Sequence, residues 1–341
     1  MTALRATDLT VGYRARTLRT IVLEGLNLDV GAGELICLLG PNGIGKSTLL
    51  RTLSKVQPAL SGSIEIDGVS LERLSAVELA RRIGVVLTDR PMIGALPAYR
   101  LVELGRYPHV NWLGQLATRD HEVVEWAIDS VSVRHLAGRD TNTLSDGERQ
   151  RFMIARALAQ EPSVLLLDEP TAFLDVASRV ELMGLLRQLA REEGLAIIVS
   201  THDLELALRM ADTVWLIGPD RLLHLGVPED LILSGTVEKV FSAKTIKFYP
   251  DDRIFRPVTP SRGIASVHGE GLPAALTAAV LEREGFEVVS GRTAPFSVVV
   301  TSGASWEATV AGSRHSGKNF QMLAGLLRRL NETARNSSVR V

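Results

Sequence analysis

Apolar residues gather in short unbroken runs along the first two-thirds of the chain, at 35–39, 83–87, 164–167, 196–200 and 213–217. Such runs lack the alternation of a half-solvated strand, so they predict strands buried on both faces, as in a parallel sheet. Between them apolar positions recur at helical spacing, predicting helices over 46–54, 76–82, 119–130, 146–160, 178–193 and 204–211. The segment 57–68 behaves differently: Ser63-Ile64-Glu65-Ile66 alternates and ends in Asp67-Gly68, the pattern of an antiparallel strand and turn. A mixed β layer near the N-terminus therefore feeds a parallel α/β core.

Periodicity breaks where Pro250, Pro257 and Pro260 stand among charged residues, which predicts a linker over 245–260. A smaller α/β pattern follows. Strand 263–268 leads to helix 273–284, strands 286–290, 296–301 and 306–310, and helix 319–331, with 332–341 expected to fray. The fold class is thus α/β, with one domain over 1–244 and a C-terminal appendage over 261–341.

Composition narrows the function classes. With 45 % hydrophobic residues and 38 basic against 39 acidic side chains, the chain is neither disordered nor a polyanion binder held by bulk charge. The single cysteine, Cys37, excludes an internal disulfide and a cysteine-built zinc site, and reads as a small buried hydrophobe. The N-terminus lacks the apolar core of a signal peptide. No apolar run approaches the roughly 18–20 residues that cross a bilayer. These features predict a soluble intracellular protein whose membrane role, if any, comes through a partner.

The residues that carry chemistry begin at Gly40-Pro41-Asn42-Gly43-Ile44-Gly45-Lys46-Ser47-Thr48. This fits G-x-x-x-x-G-K-[ST] and lies between a predicted strand and a predicted helix, as a phosphate-binding loop must. Glycines let backbone N–H groups converge on phosphate oxygens, and the helix N-terminus adds the positive end of its dipole. Lys46 is placed to reach the β- and γ-phosphates and the Ser47 hydroxyl to ligate Mg²⁺. Downstream, Val164-Leu165-Leu166-Leu167 ends in Asp168-Glu169, a Walker-B pattern. There Asp168 would hold Mg²⁺ and Glu169 would polarise the attacking water.

Leu144-Ser145-Asp146-Gly147-Glu148-Arg149-Gln150 resembles the LSGGQ signature of ATP-binding cassette (ABC) ATPases and precedes the Walker-B strand, as in that family. The resemblance spans roughly residues 1–240. It implies a P-loop NTPase core with an antiparallel β subdomain and a helical subdomain at about 90–160. It further implies a D-loop at Thr171-Ala172-Phe173-Leu174-Asp175, a switch histidine at His202, and adenine stacking by Tyr13. Catalysis is implied for Glu169, His202 and Lys46. ATP binding falls to Tyr13, Gly40, Pro41, Asn42, Gly43, Gly45, Lys46, Ser47 and Thr48. Two such domains would pack head to tail as a homodimer, with Ser145, Gly147 and Glu148 contacting the γ-phosphate in trans.

The sequence departs from that family twice. Thr88 stands where a Q-loop glutamine is expected, and its shorter hydroxyl cannot reach as far toward Mg²⁺ and the attacking water. Asp146 and Glu148 add negative charge beside an anionic ligand, which requires their side chains to point away from the phosphates. Gly105-Arg106-Tyr107-Pro108-His109 is similar to a segment in ATPases serving iron(III)-siderophore, haem and cobalamin importers. The resemblance implies a peripheral subunit on the cytoplasmic face of the membrane. A separate FecCD-type permease would dock near Arg106, Tyr107 and His109, an extracytoplasmic binding protein would act indirectly, and no nucleic acid would be involved. The alternative is a soluble ABC ATPase acting on nucleic acid or the ribosome. That class usually shows tandem cassettes or a long coiled-coil insertion, and this chain has neither. In the appendage, His268-Gly269-Glu270-Gly271 reads as a plain βα turn, and dimer reinforcement or regulation is the expected role.

Overall fold

The computed structural model describes residues 1–15, 18–87, 95–110, 114–243, 245–250, 252–258, 261–289, 294–310 and 312–338. The chain divides into two compact units, Met1–Ala243 with Phe248–Phe255, and Lys244–Lys247 with Arg256–Val341.

In the first unit β1 (Thr2–Ala15) and β2 (Leu18–Gly31) form a long antiparallel pair. With β4 (Ser61–Ile66) and β5 (Val69–Ser70) they make a four-stranded sheet ordered β2-β1-β4-β5. The second sheet contains β3 (Leu35–Leu39), β6 (Ile83–Val86), β7 (Val164–Asp168), β8 (Ala196–Ser200), β9 (Thr213–Ile217) and β10 (Leu223–Gly226). Its order is β10-β9-β3-β8-β7-β6, parallel throughout except for β10 at the edge.

The unbroken apolar runs have a two-sided explanation. In β3, Leu35, Cys37 and Leu39 enter one hydrophobic core, while Ile36 and Leu38 enter a second. β7, β8 and β9 alternate in the same way, with Trp215 and Ile217 turned to the second core and Val214 and Leu216 to the first. Each buried Leu or Ile side chain contributes about 1.5–3 kcal/mol. A charge on either face would therefore disrupt one core or the other.

Helices α1 (Lys46–Leu53), α2 (Ala76–Ala80), α3 (Ala98–Glu103), α4 (Thr118–Ser130) and α5 (Asp146–Leu158) precede β7. After it come α6 (Val176–Glu193), α7 (Leu204–Met210), α8 (Pro228–Leu233) and α9 (Thr236–Phe241). Ala98, Leu101 and Val102 of α3, Val124, Ala127 and Ile128 of α4, and Phe152 and Ile154 of α5 share the first core.

Part of the stretch expected as a linker forms strands. β11 (Ile246–Tyr249) and β12 (Ile254–Pro257) pair as a two-stranded sheet. Phe248, 4 % exposed, joins the first core and its ring lies 5.0 Å from that of Phe255, which in turn meets Phe241 at 6.0 Å. Two aromatic anchors outweigh the proline and charge that suggested a plain connector.

In the second unit β13 (Ile264–His268), β14 (Glu287–Val289), β15 (Phe296–Ser302), β16 (Ser305–Val310) and β17 (Ser313–Gly317) form a sheet ordered β14-β13-β15-β16-β17. Helices α10 (Gly271–Arg283) and α11 (Phe320–Ser338) complete it. Trp306, Leu281, Leu323 and Leu327 belong to its separate core. The Trp306 indole N–H donates to the Asn319 carbonyl at 2.9 Å. A Cβ at Gly317 would lie 2.4 Å from the Trp306 ring, which explains the glycine in this strand. Helix α11 runs on to Ser338, beyond the point where fraying is expected.

Candidate active site

The loop between β3 and α1 is shaped by glycines in positive-φ conformations, Gly40 at 152°, Gly43 at 74° and Gly45 at 122°. A Cβ on Gly45 would stand 2.3 Å from Val22 Cγ1, so no other residue fits there. Gly45 is also the N-cap of α1 and offers no side-chain acceptor, leaving the first helical N–H groups for an anion. Lys46 is buried, and its Nζ donates to the carbonyls of Gly40 at 2.9 Å and Pro41 at 3.3 Å. Burial pushes its pKa down, against the pull of Glu169 and Asp168. Asn42 and Gly43 lie exposed at the tip of the loop, and Thr48 is buried. The Tyr13 hydroxyl lies 2.8 Å from Thr48 Oγ1, while half of the tyrosine's surface stays open to solvent.

Parallel strands bring the Walker residues to the same sheet edge. Asp168 ends β7, and its Oδ1 accepts from Ser47 Oγ at 3.1 Å and from Ser200 Oγ at 2.6 Å. Ser47 and Asp168 are hard oxygen donors in one place, a set that fits Mg²⁺. Glu169 follows in the left-handed region, φ 48°, and its N–H donates to Ser200 Oγ at 2.9 Å. Its carboxylate lies 3.9 Å from Nδ1 of His202, just beyond β8. Ser200 thus holds the Asp168 carboxylate directly and the Glu169 backbone through its N–H, which also reaches the Ser200 carbonyl at 3.1 Å. The sequence motifs gave it no such role, because a serine ending an apolar strand has no pattern of its own.

A family model described as ABC transporter matches residues 23–172. Over 245 residues the chain is 40 % identical to ABC transporter ATP-binding protein MJ0873 of Methanocaldococcus jannaschii, covering 72 % of this chain and 83 % of that protein. The chain belongs to the ABC transporter ATP-binding family. It is 36 % identical over 241 residues to the ferric enterobactin transport ATP-binding protein FepC of Escherichia coli, covering 71 % and 88 % of the two chains. A solved inward-facing metal-chelate type ABC transporter superposes with TM-score 0.63 at 28 % identity, covering 76 % of this chain and 98 % of that one. The dimeric post-hydrolysis cassette MJ0796, bound to ADP and Pi, superposes with TM-score 0.53 at 27 % identity, covering 62 % and 93 %. The chain is accordingly an ABC ATPase.

In this ABC cassette the signature starts α5. Ser145 is its N-cap, accepting from the Glu148 N–H at 3.3 Å, while the Glu148 carboxylate accepts from the Ser145 N–H at 2.7 Å. This reciprocal capping box turns the Glu148 charge back on the helix end, and the Ser145 backbone bond holds its pKa below the usual carboxylate range. Asp175, expected in the D-loop, caps α6 and accepts from the Ser178 N–H at 2.8 Å. Ser145, Gly147, Glu148, Phe173 and Asp175 line one cavity of about 290 Å³. Thr88 lies outside the described residues.

The expectation that Arg106 and His109 line a docking groove is corrected. Arg106 is 2 % exposed; it donates to Asp120 at 2.9 Å, to the Ala159 carbonyl at 2.7 Å and to Glu161 at 2.8 Å. His109 Nε2 lies 2.8 Å from the Gln160 carbonyl oxygen. Both tie the segment to the C-terminal end of α5, and Tyr107 alone of the three is exposed. A separate apolar groove of about 480 Å³ is lined by Val56, Leu79, Ile83, Leu87, Met153 and Arg156. Arg156 Nε and Gln160 Oε1 are buried there without a hydrogen-bond partner among the described residues.

Proposed function

We propose that this chain is the ATPase subunit of an importer for an iron complex, a siderophore in preference to haem or cobalamin. It works as a homodimer on the cytoplasmic face of the membrane, beneath a FecCD-type permease that receives its cargo from an extracytoplasmic binding protein. The observation that carries the enzymatic part is the convergence of Lys46, Ser47, Asp168, Glu169 and His202 beside one glycine-shaped loop. The iron-complex part rests on the likeness to the ferric enterobactin and metal-chelate systems.

Lys46 and the N–H groups of the loop bind the β- and γ-phosphates of ATP, with Tyr13 against the adenine. Ser47 and Asp168 would hold Mg²⁺, which neutralises phosphate charge when bound. Glu169 orients the water and takes its proton, and His202 positions the γ-phosphate. Ser145 and the Gly147 N–H reach the same phosphate from the second subunit, so ATP closes the dimer and its hydrolysis releases it. The apolar groove beside α5 receives the permease, and its uncompensated Arg156 favours a segment that brings a hydrogen-bond acceptor.

The test is the chain reconstituted with its permease in vesicles, with ATP turnover followed as binding proteins loaded with ferric siderophore, haem or cobalamin are added. Ferric siderophore is expected to stimulate turnover, and Glu169→Gln to abolish it while ATP still binds and the dimer persists. Wild-type turnover in Glu169→Gln would reject the role of that carboxylate. Stimulation by cobalamin alone would move the substrate class.

A further inference from the structure

The two helices of the second unit present opposite surfaces to water. From Gly271 to Leu281, α10 carries no charged residue. Its one polar side chain in that stretch, Thr277, is fully buried, with the hydroxyl donating to the Pro273 carbonyl at 2.8 Å. The outward side consists of Leu272, 70 % exposed, and Leu276, 43 % exposed, with exposed Ala275 and Ala279. Their spacing of three, four and seven makes one continuous stripe. On α11 the exposed positions include Gln321, Arg328 and Arg329, with Met322 the apolar exception. A solvated α11 beside an α10 apolar on both sides marks α10 as a covered surface. Exposed Glu270 and Arg283 stand at its two ends, and neither pairs with a described residue.

We infer that α10 is a self-association surface, packing antiparallel against α10 of a second copy of this chain. In that arrangement Leu272 meets the copy's Ala279 and Leu276 meets the copy's Ala275, large against small. Glu270 then lies beside the copy's Arg283 at both ends, a match that the reverse orientation does not give. One helix stripe falls short of the roughly 1,200 Å² buried by a stable free-standing interface. It therefore acts as a second contact between copies already joined, where tethering supplies an effective concentration on the order of millimolar. The inference rests on the proposed cassette dimer, which brings together two copies of the unit.

The experiment uses the full chain carrying Glu169→Gln, with ATP, and follows the cassette dimer independently by sedimentation. Cys37 is silent to oxidation, being buried with its pKa pushed up to about 12. Ala275→Cys is expected to form an intersubunit disulfide under copper–phenanthroline far faster than Ser313→Cys on β17. Glu270→Arg or Arg283→Glu should each slow that step by about tenfold, since two attractive pairs become repulsive, and the double exchange should restore it. Cross-linking no faster than Ser313→Cys while sedimentation shows the ATP dimer would overturn this inference alone. Slow cross-linking of a chain that stays monomeric with ATP would overturn the dimer reading as well. Fast cross-linking indifferent to both charge exchanges would overturn the antiparallel pairing.

Discussion

At the scale of single residues, the candidate catalytic groups depend on a hydroxyl that lies outside the glycine-shaped loop. Ser200 Oγ donates to Asp168 and accepts from the Glu169 N–H, so one side chain sets the spacing between the carboxylate proposed to hold Mg²⁺ and the one proposed to polarise the water. Hydrogen bonds to charged groups contribute about 1.5–3 kcal/mol, so Ser200→Ala should lower kcat by roughly ten- to a hundredfold. ATP affinity, set mainly by the loop and Lys46, should change little, and comparing turnover with nucleotide binding by fluorescence checks this. An equal loss in both would show that Ser200 serves folding of the loop rather than alignment of the carboxylates. Lys46, Asp168, Glu169 and His202 were legible in the sequence because each sits at a fixed offset from a strand end. Ser200 was not, since its importance comes from two strands adjacent in space and remote in sequence.

At the scale of elements, Arg106 shows how a sequence segment can resemble a docking surface and be a strut. Its guanidinium joins α4 through Asp120 to the end of α5 through the Ala159 carbonyl and Glu161. Burial pushes the Asp120 carboxyl up, but the Ala117 N–H and Arg106 outweigh it and hold it below its ordinary range. Glu161 is likewise pushed up by burial and brought lower overall by Arg106 and Arg119. Folded pKa values below the unfolded ones mean that this stabilisation is complete above the carboxylate range and is lost as pH falls through the folded values. Thermal melts should show wild-type Tm falling between about pH 5 and pH 3. Arg106→Ala should cost about 3–5 kcal/mol at neutral pH and show a shallower fall over the same range. A parallel fall in both proteins would place the acid-sensitive groups elsewhere. The parallel strands were legible because their runs are apolar on both faces. The long β1–β2 pair was less so, because register shifts at Ala6/Leu9 and Leu9/Val11 break its alternation.

At the scale of the whole molecule, the boundary of the ATPase unit does not follow the composition. Prolines and charges suggested that the cassette ends before residue 245, yet Phe248 fills its core. A chain ending at Phe255 should therefore hydrolyse ATP at the wild-type basal rate. One ending at Ala243 should be destabilised by about 3–5 kcal/mol, the usual cost of removing a buried phenylalanine. Urea melts of the two truncations test this, and equal stability would remove the structural role assigned to Phe248. The C-terminal unit was legible as α/β, but β17 was missed because Ser313-Arg314-His315-Ser316-Gly317 has almost no apolar content. Its place comes from pairing with β16 and from the Trp306 ring lying over Gly317.

Glu169 occupies a left-handed backbone, φ 48°, where a residue with a side chain costs about 1–2 kcal/mol relative to glycine. The role proposed for Glu169 thus sets turnover against stability at one codon. Glu169→Gly should raise the melting temperature of the isolated chain while ending hydrolysis. A library selected only for heat resistance would be expected to discard this glutamate, and one selected for transport to retain it. A lower Tm for Glu169→Gly would show that the carboxylate's contacts outweigh the strain of its turn.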